Sequence, residues 1–182
     1  MTRTLVLGGA RSGKSAHAEQ LAAGSGKSVV YIATAQAGDA EMAARIARHR
    51  QQRSAAWTTV EECFDLGGAI ARWSAPDRLV LVDCLTVWLS NLLFSEPREF
   101  PEIGEIIAPD CFHEQRARLL QALQQATGDV ILVSNEVGMG VVPQGAVSRW
   151  FVDEAGRLNQ AVAAICDRVI FVAAGLPLAL KG

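Results

Sequence analysis

Gly8-Gly9-Ala10-Arg11-Ser12-Gly13-Lys14-Ser15 is the stretch that decides the reading of this chain. It fits the pattern G-x-x-x-x-G-K-[ST]. It follows a short apolar run, Leu5-Val6-Leu7, and it opens residues 14–23, which are rich in helix formers. Gly8 and Gly13 admit backbone angles that a side chain forbids. The loop N–H groups then converge on phosphate oxygens, with a helix N-terminus behind them. In this pattern Lys14 reaches the β- and γ-phosphates and the Ser15 hydroxyl holds Mg²⁺. The octet predicts a cradle for a nucleoside triphosphate in which Gly8, Gly9, Ala10, Arg11, Ser12, Gly13, Lys14 and Ser15 all lie against the phosphates.

Outward from the octet, strand-like and helix-like segments alternate to the end of the chain. Residues 29–33 read as a second strand, delivering Thr34, Ala35 and Gln36. Asp39 caps a predicted helix over 39–52, with Met42, Ala43, Ile46 and Ala47 as its apolar stripe. Arg45, His49 and Arg53 follow one another at i, i+4 on a neighbouring face. A short helix is expected at 65–73 and a buried strand at 79–82, ending on Asp83. Residues 85–94 are helical in character, and the Pro-rich 95–109 is a long loop. A helix over 112–126 leads to a strand at 130–134, ending before Asn135 and Glu136. A glycine-rich loop follows at 138–145. The helix over 146–164 offers Trp150, Phe151, Leu158 and Val162 to the core. A strand at 169–173 turns at Gly175 into a short strand at 178–180. Apolar strands separated by helices predict an α/β fold with a mainly parallel sheet flanked by helices. Ligands on such sheets sit at the carboxyl ends of the strands.

At 182 residues the chain suits one domain over 1–182. A net charge of −2 gives no basic field for nucleic acid or an anionic membrane. Cys63, Cys84, Cys111 and Cys166 show no CxxC pair and no zinc spacing, as expected of reduced thiols in a cytoplasmic protein. Leu5-Val6-Leu7 is too short for a secretory apolar region, and no apolar run is long enough to span a membrane.

Asp83, ending a buried strand, is the candidate carboxylate for Mg²⁺, directly or through water. Its plainer reading is a cap for the helix that follows. Asn135 and Glu136 either position an acceptor hydroxyl or a water, or serve as a turn cap and an arginine partner. The sequence leaves both open. Kinases, hydrolases and switches share the octet. A guanine-specific N-K-x-D pattern is absent from the sequence, which argues against a GTPase switch.

The motifs GGARSGKS, YIATAQ, DAEMAARIARHR, WTTVE, LVDCLTVWLSNLL, SNEVGMGVVP and FVDEAGRLNQ occur in that order over nearly the whole chain. Together they resemble the bifunctional adenosylcobinamide kinase and adenosylcobinamide-phosphate guanylyltransferase family of cobalamin biosynthesis. The resemblance implies a RecA-like P-loop fold, assembled as a homotrimer. It implies phosphorylation of the aminopropanol hydroxyl of adenosylcobinamide with ATP or GTP. It then implies GMP transfer from GTP through a guanylylated histidine, giving adenosylcobinamide-GDP and pyrophosphate. The substrates would be a corrinoid and nucleotides, with Mg²⁺.

His49, in ARIARHR, matches the family's histidine, so that His49 and Lys14 are the expected catalytic residues. Arg45, Arg48, Arg50 and Arg53 surround it in sequence. Their charge favours the neutral imidazole that attacks phosphorus, and their forks suit phosphate oxygens. A kinase lacking the second activity would not need it. His17 and His113 lie in other settings. The guanine nucleotide pocket implied by the resemblance comprises Thr34, Ala35, Gln36, Gln51, Gln52, Arg53, Ser54 and Glu61. Glu61 is a candidate base reader, because a carboxylate accepts from both guanine N1–H and the 2-amino group. Asp83 stands where some relatives carry Glu, and only one histidine occupies the transfer position where some carry two. Trp57, Trp73, Trp88 and Trp150 are candidates either for the core or for stacking on the corrin. One triphosphate site serves both steps if the triphosphate shifts or if the His49 helix moves; helix movement is the expectation, with Ala37-Gly38 as its hinge.

Overall fold

Alternation within each strand sorts this chain into layers. In β1 (Arg3–Gly8) Leu5 and Leu7 join one apolar cluster while Val6 joins the other. The same parity divides β2 (Ser28–Ala33), β4 (Arg78–Asp83) and β5 (Asp129–Asn135). The computed structural model describes residues 1–36 and 54–182. The helix expected over 39–52, with Arg45, His49, Gln51, Gln52, Arg53 and the Ala37-Gly38 hinge, lies outside the described residues.

With β3 (Thr58–Glu61), β6 (Arg168–Ala173) and β7 (Leu176–Lys181), seven strands among the described residues form one sheet in the order β3-β2-β4-β5-β1-β6-β7. All neighbouring pairs are parallel except β6 with β7. The helix α1 (Lys14–Ala23) packs on one face through the small Ala18 and Ala22. The other face carries α2 (Leu66–Trp73), α3 (Leu85–Leu93), α4 (Asp110–Gln125) and α5 (Ala146–Ile165). Helices on both faces let β1, β4 and β5 be apolar almost throughout, as a parallel sheet requires.

Most of the expected elements are present. One strand was not anticipated: β3 (Thr58–Glu61) pairs with β2 at the sheet edge. Its residues are mostly exposed, so no apolar run betrays it. The β7 strand is longer than 178–180. Pro177, which has no N–H, lies opposite Val172, a position that the antiparallel alternation leaves unbonded. Asp65 caps α2 by accepting from Gly68 N–H at 3.1 Å. Leu158 and Val162 are core, while Trp150 and Phe151 are only half-buried. Trp150 packs against Phe112 with ring centres 4.9 Å apart.

A buried carboxylate ties α4 to α5. Glu154 accepts from Arg116 at 2.5 Å and pairs also with Arg157. The Arg116 side chain is 18% exposed and that of Arg157 is 62%. Removing Glu154 strands a guanidinium that water hardly reaches. Glu154→Ala should therefore cost about 3 kcal/mol in urea unfolding, and Arg157→Ala less than about 1 kcal/mol. Equal losses would contradict this division.

Candidate active site

The parallel register sets a row of polar groups along one edge of the sheet. Gly8 lies level with Asn135, Asp83 with Val133, and Ala33 with both Asp83 and Glu61. The octet leaves β1 at this edge. Arg11 (φ 56°) and Gly13 (φ 94°) take the left-handed conformation, and the loop then enters α1. No side chain caps α1 and none in its first turn is acidic, so its N–H groups are open to an anion. A Cβ on Gly8 would come within 2.4 Å of Ser12 Oγ and 2.5 Å of Val172 O, which only glycine avoids. The buried Lys14 donates from Nζ to Gly9 O at 3.0 Å, folding its charge over the loop.

Asp83 lies two strands away from β1, with β5 between them. The hydroxyl of the buried Tyr31 donates to Asp83 Oδ2 at 2.9 Å, fixing the carboxylate rotamer. Thr34 locks the neighbouring strand end. Its Oγ1 donates to Cys84 O and accepts from Cys84 N–H, each at 2.8 Å. That side chain is fully buried and committed to backbone, so Thr34 shapes the edge rather than presenting its hydroxyl. Ala35 and the exposed Gln36 follow it. Ser54 turns the chain into β3, its Oγ accepting from Ala56 N–H.

Sequence reasoning missed three polar anchors on this edge. Thr86 Oγ1 accepts from Asn135 N–H at 2.8 Å and lies 3.4 Å from Ser134 Oγ. Asn159 donates to Asn135 O at 3.2 Å. Tyr31 is the third. Hydroxyls and amides bond equally well in turns, caps or solvent, so sequence gives them no address. Of the two residues whose roles stayed open, Asn135 is held in place by these anchors. Glu136 receives Gly138 N–H at 2.7 Å, and its own N–H bonds Gly8 O at 3.1 Å, coupling the glycine-rich loop to the octet.

The remaining candidates separate. Trp88 is fully buried and donates to Phe64 O, so it serves the core. Trp73 stands beside Arg78, which begins β4, at the opposite edge. Trp57 stacks on Tyr31. Half-buried His17 lies in α1, and the ring of His113 packs edge-on against Phe112. An apolar groove of about 270 Å³ runs between α3 and α5, lined by Leu93, Phe94, Pro143, Val147 and Phe151. Among the described residues no group of three His, Cys, Asp or Glu side chains gathers as a metal site, and no helix is long and apolar enough to cross a membrane.

A glycine loop from an inner strand, a helix N-terminus and a carboxylate two strands over define a P-loop nucleotide-binding fold of the RecA-like kind. Solved structures agree on the fold alone. An ATPase of a type III secretion system shares 13% identity, with a TM-score of 0.56 over 98% of this chain and 56% of that one. Another solved ATPase domain gives 16% and 0.50 over 93% and 68%. The cobinamide kinase / cobinamide phosphate guanyltransferase family matches residues 4–180, and this chain belongs to it. The bifunctional adenosylcobalamin biosynthesis protein CobP of Pseudomonas aeruginosa is 52% identical over 99% of this chain and 98% of its own length. The CobU protein of Salmonella typhimurium is 44% identical over 97% and 98%.

Cys84 directly follows Asp83, and its thiol is no nucleophile. Burial, reinforced by the Asp83 carboxylate, pushes it from an ordinary 9.0 up to about 11. Burial likewise pushes Cys166 up to about 12. Both thiols hold their protons more tightly folded than unfolded. Their contribution to stability is therefore whole below about pH 9 and is lost as pH rises through 11 to 12. At pH 8 iodoacetamide should spare Cys84 in the folded protein and modify it in urea, read by mass spectrometry. Rapid labelling of folded Cys84 would contradict its burial.

Proposed function

We propose that this chain phosphorylates the aminopropanol hydroxyl of adenosylcobinamide and then transfers GMP from GTP to the resulting phosphate. The observation that carries the reading is the octet, held level with Asn135 and separated from Asp83 by the single strand β5. Family membership supplies the substrates.

In the first step the γ-phosphoryl group passes to the acceptor hydroxyl. Lys14 and the N–H groups of Gly13 to Ser15 offset charge on the phosphates, and Asn135 or Glu136 orients the hydroxyl. Ser15 and Asp83 would hold Mg²⁺. Two hard oxygen donors without a wider ligand cluster suit an ion that keeps water and phosphate oxygens as its other ligands. Bound there, the ion supplies charge neutralisation along the triphosphate.

In the second step an imidazole nitrogen of His49 attacks the α-phosphorus of GTP. A P–N bond forms, the α–β bridge breaks and pyrophosphate leaves. A phosphate oxygen of adenosylcobinamide phosphate then attacks the same phosphorus, forming the P–O–P link and freeing His49. His49 lies outside the described residues. Glu61 reads the guanine, four strand spacings or roughly 19 Å from Gly8. A nucleotide spanning that row extends from the octet toward β3 and passes the end of β2 on the way. Gln36, Gln51, Gln52, Arg53 and Ser54 contribute to its base and ribose side. The resemblance also carries a homotrimer and a cytoplasmic location into this proposal.

The test is incubation with α-³²P-GTP and Mg²⁺, followed by denaturation and peptide mapping. Acid-labile, base-stable label should appear at His49 and vanish in His49→Ala. Glu61→Gln should slow this labelling by GTP, while a separate kinase assay should find the use of ATP nearly intact. Active protein without label would reduce the chain to a kinase. Equal loss with both nucleotides would remove Glu61 as base reader.

A further inference from the structure

The last strand looks dispensable from the sheet's point of view. The β7 strand is exposed along its whole length, and Leu176, Leu178 and Leu180 all face away from the core. Its turn, however, does not point into solvent. Ala174 (φ 53°) and Gly175 (φ 78°) make a tight two-residue reversal between Ala173 and Leu176. Gly175 N–H donates to Ser12 O at 2.8 Å. Gly175 Cα lies only 3.2 Å from where a Cβ on Gly13 would stand. At the end of β6, Val172 O closes on Gly8 in the same way. The two fixed glycines of the octet are thus both packed against the β6–β7 hairpin, which comes from the far end of the chain.

A trans peptide holds its C=O and N–H antiparallel in one plane. Anchoring Ser12 O on Gly175 therefore turns Gly13 N–H the opposite way, away from the hairpin. We propose that Gly175 is a positioning residue for nucleotide: its backbone N–H holds the Ser12–Gly13 peptide in the orientation that aims Gly13 N–H at a phosphate oxygen. The hairpin is in this sense a brace for the octet, and Gly175 itself touches no phosphate. Without the anchor the peptide is free to rotate, and rotation would present a carbonyl oxygen to an anion. The loop by itself has little to prevent this, since Gly13 has no side chain. The conformation at Gly175 needs glycine, and its N–H needs to remain unsubstituted. The inference rests on reading the octet as the triphosphate cradle.

The hydrogen bond can be removed alone by an amide-to-ester exchange at Gly175. Cys166 allows traceless ligation of a synthetic 166–182 segment to residues 1–165, so the whole chain is tested. A matching ester at Leu178, opposite Phe171 in the β6–β7 ladder, serves as the control for hairpin stability. The Gly175 ester should weaken Mg·ATP and Mg·GTP binding about tenfold, the size of one hydrogen bond to a charged group. The Leu178 ester should leave both affinities within about twofold, and the KM for the corrinoid should change in neither. Unchanged nucleotide affinity in the Gly175 ester would overturn the proposal. So would an equal loss in the two esters, which would make the effect one of hairpin stability. Ligated wild-type chain that bound neither nucleotide would instead bring down the cradle reading, and the brace with it.

Discussion

Parallel pairing leaves the strands no choice about where their carboxyl ends go, and the rest of this molecule depends on that constraint. From β3 across to β6 every strand finishes at the same edge, in a register that sets Gly8 beside Asn135 and Asp83 beside Val133. Chemistry that needs a phosphate cradle, a carboxylate and polar positioning groups within reach of one another finds them there because the backbone ladder aligns them. The apolar interiors of β1, β4 and β5 hold that ladder between two layers of helix. The edge itself is pinned by small polar bridges: Thr34 to Cys84, Thr86 to Asn135, Asn159 to Asn135, and Tyr31 to Asp83.

Two of these features were plain in the sequence for physical reasons. The octet carries its constraints locally, since glycine, lysine and serine at fixed spacing state both the backbone geometry and the ligand. Asp83 follows four consecutive apolar residues, and a charge at the end of such a run marks a strand's exit from the core. The helices over 66–73, 85–93 and 146–165 were legible from composition and breakers.

What stayed hidden was long-range or weakly patterned. The β3 strand is short and exposed and lies at an edge, so Thr58 to Glu61 show no alternation of burial to detect. The bonds of Thr34, Thr86 and Asn159 join residues 24 to 50 positions apart. The same types would satisfy themselves in any turn. Glu154 looks like one more charge on a helix until the fold brings Arg116 to it. The contact between Gly175 and Ser12 is the extreme case. A glycine after a strand announces a turn, but nothing local says that the turn is aimed at a loop near the other end of the chain.

The octet, Asp83 and the polar row are one surface, so the account makes a single triphosphate cradle serve both reactions. The direct measurement is mass spectrometry of corrinoid products from wild-type and Lys14→Ala protein, supplied in separate reactions with adenosylcobinamide plus ATP and GTP, and with pre-formed adenosylcobinamide phosphate plus GTP. Wild-type protein should give the GDP adduct from both starting materials. Lys14→Ala should fail with both, because each step needs the same phosphate contacts. Undiminished GDP adduct from the pre-formed phosphate in Lys14→Ala would contradict the shared cradle and require a second nucleotide site.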